Sequence, residues 1–325
     1  MPNFWTRFWH EPVRAERLAI TRIFLGLALL TDQLIQYWPR LADFYGPQGI
    51  APAGTHDEWV LSTGGWTALL FNTDNLTTVA ILFWLRVAIT AAFIVGWHTR
   101  LMNVLLWFLT LCFVNRNPAL NNYVENVLQV GLFWLMLSPS GDAFSLDRLR
   151  RCKKGNCPDP PLTPAWPVRL IQLQVCMIYL STGLAKLIRV FFDMEVGADE
   201  TYWQAVARTF HEATWWNGAS FHYVLNDTTM GRWPYAALPL PIWLTAVATY
   251  TAVWWETLFP LLVLSRWTRK WALWSGVLVH FGIWMTIEVG WFGFYMLSLY
   301  GVWIPGEFWD RWRRRRAAPA PQTVG

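Results

Sequence analysis

Apolar residues in this chain gather into eight stretches, and the polar segments between them hold most of the charge. At 1.5 Å of rise per residue, about 20 helical residues cross a ~30 Å hydrocarbon core. The pattern predicts membrane spans over 17–38, 76–97, 101–114, 122–137, 167–190, 242–264, 271–287 and 290–304. The third, fourth and last are short, so tilting or extension into the interface is expected of them.

Charge then orients the bundle. With the N-terminus inside, the inner segments hold Arg7, Arg14, Arg17, Arg100, the cluster from Arg148 to Lys154, Arg169, Arg266, Arg269, Lys270 and the arginines from Arg311 to Arg316. That is 18 of the 26 Lys and Arg, against five outside (Arg40, Arg116, Arg189, Arg208 and Arg232), the positive-inside pattern. A seven-span arrangement breaks the pattern. The expected fold class is therefore an all-α integral membrane protein of about eight transmembrane helices, both termini cytoplasmic, in the plasma (inner) membrane. Residues 1–16 read as a cytoplasmic N-terminal segment, 17–305 as the transmembrane domain and 306–325 as a basic tail. The first apolar stretch is too long for a cleavable signal and is expected to remain as an anchor. Loops 39–75 and 191–238 mix acids with Trp, Tyr and Gly and are expected to cap the outer surface. Segment 138–166, with its CPDPP run, reads as an inner linker between two groups of four spans.

Composition sharpens this picture. Apolar residues make up 54% of the chain and charged residues 14%, well under the roughly 25% of soluble domains. The 25 Trp suit headgroup depth, where an apolar ring can keep its N–H wet. A net charge of +5 and the run Arg313 to Arg316 invite a nucleic-acid reading, but the run directly follows a span, where basic residues mark the inner side. No nucleic-acid partner is expected. Cys112 and Cys176 fall inside spans. Cys152 and Cys157 share the inner loop, where a reducing compartment makes a disulfide unexpected and where no second ligand pair supports a metal.

Charges within spans each cost about 2.5–3.5 kcal/mol on insertion scales, so each one needs a role. The candidates are Arg22, Asp32, Arg86, Glu125, Lys186, Glu256 and His280. Arg86 and Glu256 sit at similar predicted depth with opposite sign and are expected to form a buried structural pair. Gln172, Cys176, Tyr179, Thr182 and Lys186 recur at helical spacing, which puts them on one face. Gly183 leaves room beside the ammonium. Asn122, Glu125, Asn126 and Gln129 form a second stripe, and His280 lies at comparable depth. Together these helices are expected to aim polar groups into one outward-facing cavity. The plainer alternatives are a snorkelling lysine, a core histidine bonded to a carbonyl, and amides that bond helix to helix. His211-Glu212 begins like a zinc-protease helix, but Trp215 stands where the second His is required. Pairing of His211 with His222 as metal ligands is not expected, and no metal site is.

Three stretches then carry a resemblance: 116–122 (RNPALNN) running on to 144–147 (FSLD); 183–187 (GLAKL); and 256–260 (ETLFP) followed by His280 in VLVHFGIWMTIEVGWFGFYML. In order and spacing they resemble the HTTM family, whose membrane domain is shared with vitamin K-dependent γ-glutamyl carboxylase, over roughly residues 15–305. The resemblance implies that Lys186 is the base that deprotonates a reduced, vitamin K-like quinone on the extracytoplasmic side. Burial suits this, because a poorly hydrated amine gives up its charge more readily. It further implies that the deprotonated quinol reacts with oxygen to give a stronger base, with carbon dioxide as co-substrate. Lys186, His280 and Glu125 are the expected catalytic residues, and Asn122, Tyr123, Asn126, Gln129, Tyr179, Thr182, Glu256 and Arg86 the expected lining. Two features depart from the carboxylase. Tyr123 replaces the His that follows its paired Asn, and its large lumenal domain has no counterpart after the last span. Carboxylation of a docked protein is therefore not expected. The alternative is a non-enzymatic membrane factor that binds or matures an exported peptide or lipid, with the bilayer and an accessory protein as partners.

Overall fold

The computed structural model describes residues 3–50, 52–53, 73–117, 123–155, 157–192, 194–197, 199–235, 237 and 240–317, and these are mostly helical. In chain order they form α1 (Phe4–His10), β1 (Pro12–Arg14), α2 (Glu16–Asp32), α3 (Leu41–Tyr45), α4 (Leu76–Val95), α5 (Thr99–Arg116), α6 (Tyr123–Leu137), α7 (Leu146–Lys153), β2 (Leu162–Pro164), α8 (Trp166–Phe192), α9 (Tyr202–Glu212), α10 (Ser220–Asn226), α11 (Ile242–Leu264), α12 (Arg269–Thr286), α13 (Phe292–Ser298) and α14 (Gly306–Ala317). A π-helical turn, Gln33–Tyr37, and a 3₁₀ turn, Trp38–Arg40, join α2 to α3. A further 3₁₀ segment, Leu299–Trp303, follows α13.

Each apolar stretch read from the sequence coincides with helix. Four of them are long and apolar enough to cross a membrane: Glu16–Tyr45, Leu76–Val95, Trp166–Phe192 and Ile242–Leu264. Helix α4 shows why its ends fall where they do. Asn75 accepts the N–H groups of Thr77 and Thr78 at one end, and Gly96 closes the other in the left-handed region at φ 72°. Its face carrying Val79, Phe83, Ile89 and Phe93 is buried, while Ile81, Trp84 and Leu85 stay exposed as lipid-facing residues would.

The chain divides into two compact units, residues 1–172 with 294–325, and residues 173–293. This corrects the expected division into four and four spans at 138–166. The last helical stretch returns to the first unit because it packs antiparallel along α2. Tyr295 donates to Asp32, a Cβ on Gly301 would lie 2.5 Å from Thr21 Oγ1, and Arg14 donates to Asp310. Segment 138–166 accordingly builds one end of the first unit. There Arg22, fully buried, donates to the carbonyls of Ser140 (2.7 Å), Phe144 (2.6 Å) and Ile94 (3.3 Å). Asp147 accepts the N–H groups of His98 and Thr99 and caps α5 from outside it. Strands β1 and β2 pair antiparallel at the same end. The FSLD stretch thus has an architectural role: Phe144 accepts from the buried Arg22 guanidinium, Asp147 caps α5 and Ser145 caps α7.

One further correction concerns the cysteines. Cys152 and Cys157 are joined in a disulfide, with Cα atoms 4.6 Å apart. The chain reverses just after α7, with Gly155 at φ 79°, and this turn brings the two side chains together where spacing alone read as a bland loop.

Candidate functional site

The second unit gathers most of the residues singled out on α8. Lys186 donates to the Glu256 carboxylate of α11, and both side chains are half-buried, at 20% and 16% exposure. Two turns earlier on the same face, the Tyr179 hydroxyl meets His280 Nε2 of α12 at 2.5 Å, fully buried. Trp255, Phe259 and Phe292 pack their rings around this pair, with centroids 4.4–5.8 Å from Tyr179 or His280. Trp255 is fixed in turn by donation from its Nε1 to Ser275. His280 Nδ1 is buried and has no hydrogen-bond partner among the described residues.

The helices reach this arrangement through two local features. A Cβ on Gly183 would lie 2.5 Å from Thr257 Oγ1 and 2.7 Å from its backbone nitrogen, so only glycine lets α8 and α11 cross this closely. The space beside Gly183, expected to accommodate the ammonium, is filled by α11. Four residues beyond Glu256, Pro260 lies inside α11 and has no N–H for the Glu256 carbonyl. That leaves a backbone acceptor at the same turn as the carboxylate. Within this unit Glu256 is engaged by Lys186 of the adjacent helix.

Loop 191–238 supplies a lid that the sequence reading missed in detail. It contains α9 and α10, and Trp215 places its ring 5.0 Å from the Lys186 ammonium. Trp216 donates to the Leu187 carbonyl and accepts at its own carbonyl from Tyr250, which fixes the segment over the ends of α8 and α11. A capping box formed by Thr201 and Gln204 marks the start of α9. The contact of Trp215 with Lys186 had no sequence signal.

Glu125 and Arg86 belong to the first unit. Glu125 accepts from the Tyr37 hydroxyl at 2.9 Å, and Arg86 lies with its guanidinium 5.4 Å from the ring of Phe113. The second stripe divides by environment: Glu125 is buried, Gln129 half-buried and Asn126 exposed. Thr182 turns back to accept its place on its own helix, donating to the Ile178 and Tyr179 carbonyls. Tyr123 opens α6, and Asn122 lies outside the described residues. An open cleft of about 530 Å³ in the first unit is lined by Arg100, Arg150, Arg151, Asp142 and Asp147 among others. Its acids bond its arginines, Asp142 to Arg151 at 2.8 Å and Asp147 to Arg150 at 3.9 Å, so charge there is largely internally balanced.

Comparison with protein-family models, with curated proteins and with solved structures finds no match.

Proposed function

We propose that this chain is a multi-pass membrane enzyme of the HTTM type, with eight spans, both termini inside and an extracytoplasmic site at Lys186. The supporting observation is the half-buried Lys186–Glu256 pair beneath Trp215, beside the Tyr179–His280 pair. An ion pair between two apolar helices costs desolvation that a hydrophobic pair would avoid, so its presence favours a chemical role.

The residues present fit a quinol-type co-substrate. Trp215 offers an aromatic ring and Lys186 offers positive charge for a developing phenolate. When bound, a quinol supplies electrons to oxygen and hence a base stronger than any side chain. Lys186 can accept the phenolic proton only after passing its own proton to Glu256, and their direct contact provides that route. Glu256 is thereby a working partner of the lysine.

A second reading rests on Phe192, at the end of α8, and Trp203, in the first turn of α9, which are 80% and 76% exposed. Such a rim suits binding of a lipid or exported peptide without chemistry. Oxygen-dependent consumption of a reduced naphthoquinone by the purified protein in nanodiscs separates the two. Consumption that disappears in Lys186→Ala is expected. A wild-type protein that neither consumes nor co-purifies with a quinone would leave only the binding reading.

A further inference from the structure

The first unit carries a cleft that the proposed quinol chemistry does not use, where the ends of α4, α5, α6 and α7 meet. Its volume is about 530 Å³, and Arg100, Arg150 and Arg151 line it together with Asp142 and Asp147. The two acids do not occupy all three guanidiniums. Both oxygens of Asp147 are taken by the capping bonds from His98 and Thr99 at 2.7–2.9 Å, and Arg150 approaches that carboxylate only to 3.9 Å, beyond hydrogen-bond distance. Arg151 is held by Asp142 at 2.8 Å and by the Gly141 carbonyl at 3.0 Å. Arg100 is exposed and has no carboxylate within ion-pair distance among the described residues. Arg100 and Arg150 thus line the cleft with N–H donors that no described residue accepts.

The surroundings of the cleft are amphipathic. Helix α4 is long and apolar enough to cross a membrane, and it ends at Gly96, two residues before His98 enters the cleft wall. A span that ends there puts the cleft level with the bilayer's phosphates, on whichever side this end emerges. Trp97 is exposed beside it, as suits that depth. Helix α7 exposes Leu146 and Leu149 among its arginines. On α5, Leu101, Val104 and Leu105 are exposed at helical spacing, so an apolar strip starts one residue after Arg100 and runs away from the cleft. Guanidiniums at one end and an apolar strip at the other match the two ends of a phospholipid. A soluble anion would leave the strip unused.

We propose that this cleft binds the headgroup of an anionic phospholipid, with the phosphate held by Arg100 and Arg150 and an acyl chain lying along Leu101, Val104 and Leu105. A guanidinium presents a planar fork of donors that matches two oxygens of one phosphate, so two such groups can hold it from two sides. A headgroup with a net negative charge is favoured over a zwitterionic one, whose ammonium would meet the arginines with like charge. The site rests on α4 crossing a bilayer and stands independently of the quinol reading, since none of its residues takes part there.

The test is native mass spectrometry of the full chain in a non-ionic detergent, titrated separately with short-chain phosphatidylglycerol, short-chain phosphatidylcholine and inorganic phosphate. The wild type should bind phosphatidylglycerol more tightly than either of the others. Arg100→Gln and Arg150→Gln should each weaken that binding about fivefold, the loss expected for one basic residue near an anionic headgroup. Arg266→Gln, which removes an exposed arginine of the second unit, should leave it unchanged. Phosphatidylcholine bound as tightly as phosphatidylglycerol overturns the proposal, and so does an equal loss in Arg266→Gln or no loss in Arg100→Gln and Arg150→Gln. Inorganic phosphate bound as tightly as the lipid overturns it in favour of a soluble anion. The comparison of the three ligands uses the unaltered protein, so a variant that fails to fold does not decide the outcome.

Discussion

Gly183 on α8 and Thr257 on α11 meet so closely that the missing Cβ of residue 183 would fall 2.7 Å from the Thr257 nitrogen. This one contact sets the distance between the helices that carry Lys186, three residues after Gly183, and Glu256, one residue before Thr257. Because the obstructing atom is backbone, it cannot rotate away.

Gly183→Ala should therefore destabilise the protein by about 1–3 kcal/mol, the usual range for overpacking. Thermal unfolding in detergent measures this. Thr257→Ala alone should rescue little, since the backbone nitrogen remains. An unchanged melting temperature in Gly183→Ala would show that the crossing is looser than described.

The same contact shows what a sequence can and cannot disclose. Helix α4 was legible at both ends, because Asn75 and Gly96 are local signals flanking an apolar run. The face of Tyr179, Thr182 and Lys186 was legible from helical spacing. What Gly183 faces was not, because the obstruction comes from a helix more than 70 positions away. The same holds for Asp32 and Tyr295, whose bond spans 263 positions. Burial patterns at Glu125 and Asn126 also escaped, since neighbours in a stripe differ by 100° around the helix and only packing decides which is covered. The grouping of the last helix with the first unit depended on Arg14, Thr21 and Asp32, and although the charge of Asp32 stood out in its span, nothing in that span named Tyr295 as its partner.

Acid should loosen the end of the first unit where Asp147 holds α5. Burial pushes this carboxyl up, but N–H donation from Thr99 and His98 and the Thr99 hydroxyl outweigh it and hold it below its ordinary value of 3.8. A depressed folded-state value means that its stabilisation is fully present above the unfolded value and is lost as pH falls through the folded one. Melting temperature measured across the acid range should decline in this window, and Asp147→Asn should flatten the decline while lowering stability at neutral pH. An unchanged slope in that variant would remove Asp147 from the account.

Topology is tested by thiol labelling in cells. In a background with Cys152 and Cys157 changed to Ser, Glu200→Cys should react with an impermeant reagent from outside. Arg150→Cys should react only after permeabilisation, as the 18-to-5 division of basic residues requires. The reverse result would invert the bundle and place the disulfide-bearing turn on the oxidising side.

Lys186 and Glu256 can be separated into structural and chemical contributions by substitutions that preserve one and remove the other. Their pair is half-buried, so removing either partner should cost about 2 kcal/mol, between the values for exposed and fully buried pairs. Lys186→Met with Glu256→Gln should recover part of the loss, because neither charge is then stranded, and a double-mutant cycle reads that coupling as a departure from additivity. Additive losses would mean that the two groups do not support each other. Lys186→Arg keeps a positive charge within reach of Glu256 and should keep most of the stability. A guanidinium stays protonated under biological conditions, however, so it cannot take a proton from a bound hydroxyl. If Lys186 is the base, Lys186→Arg should unfold like the wild type yet lose quinol consumption as completely as Lys186→Ala. Full activity in Lys186→Arg would assign the lysine to charge pairing alone, and the base would have to be sought elsewhere, with His280 and its unpartnered Nδ1 the next group to substitute.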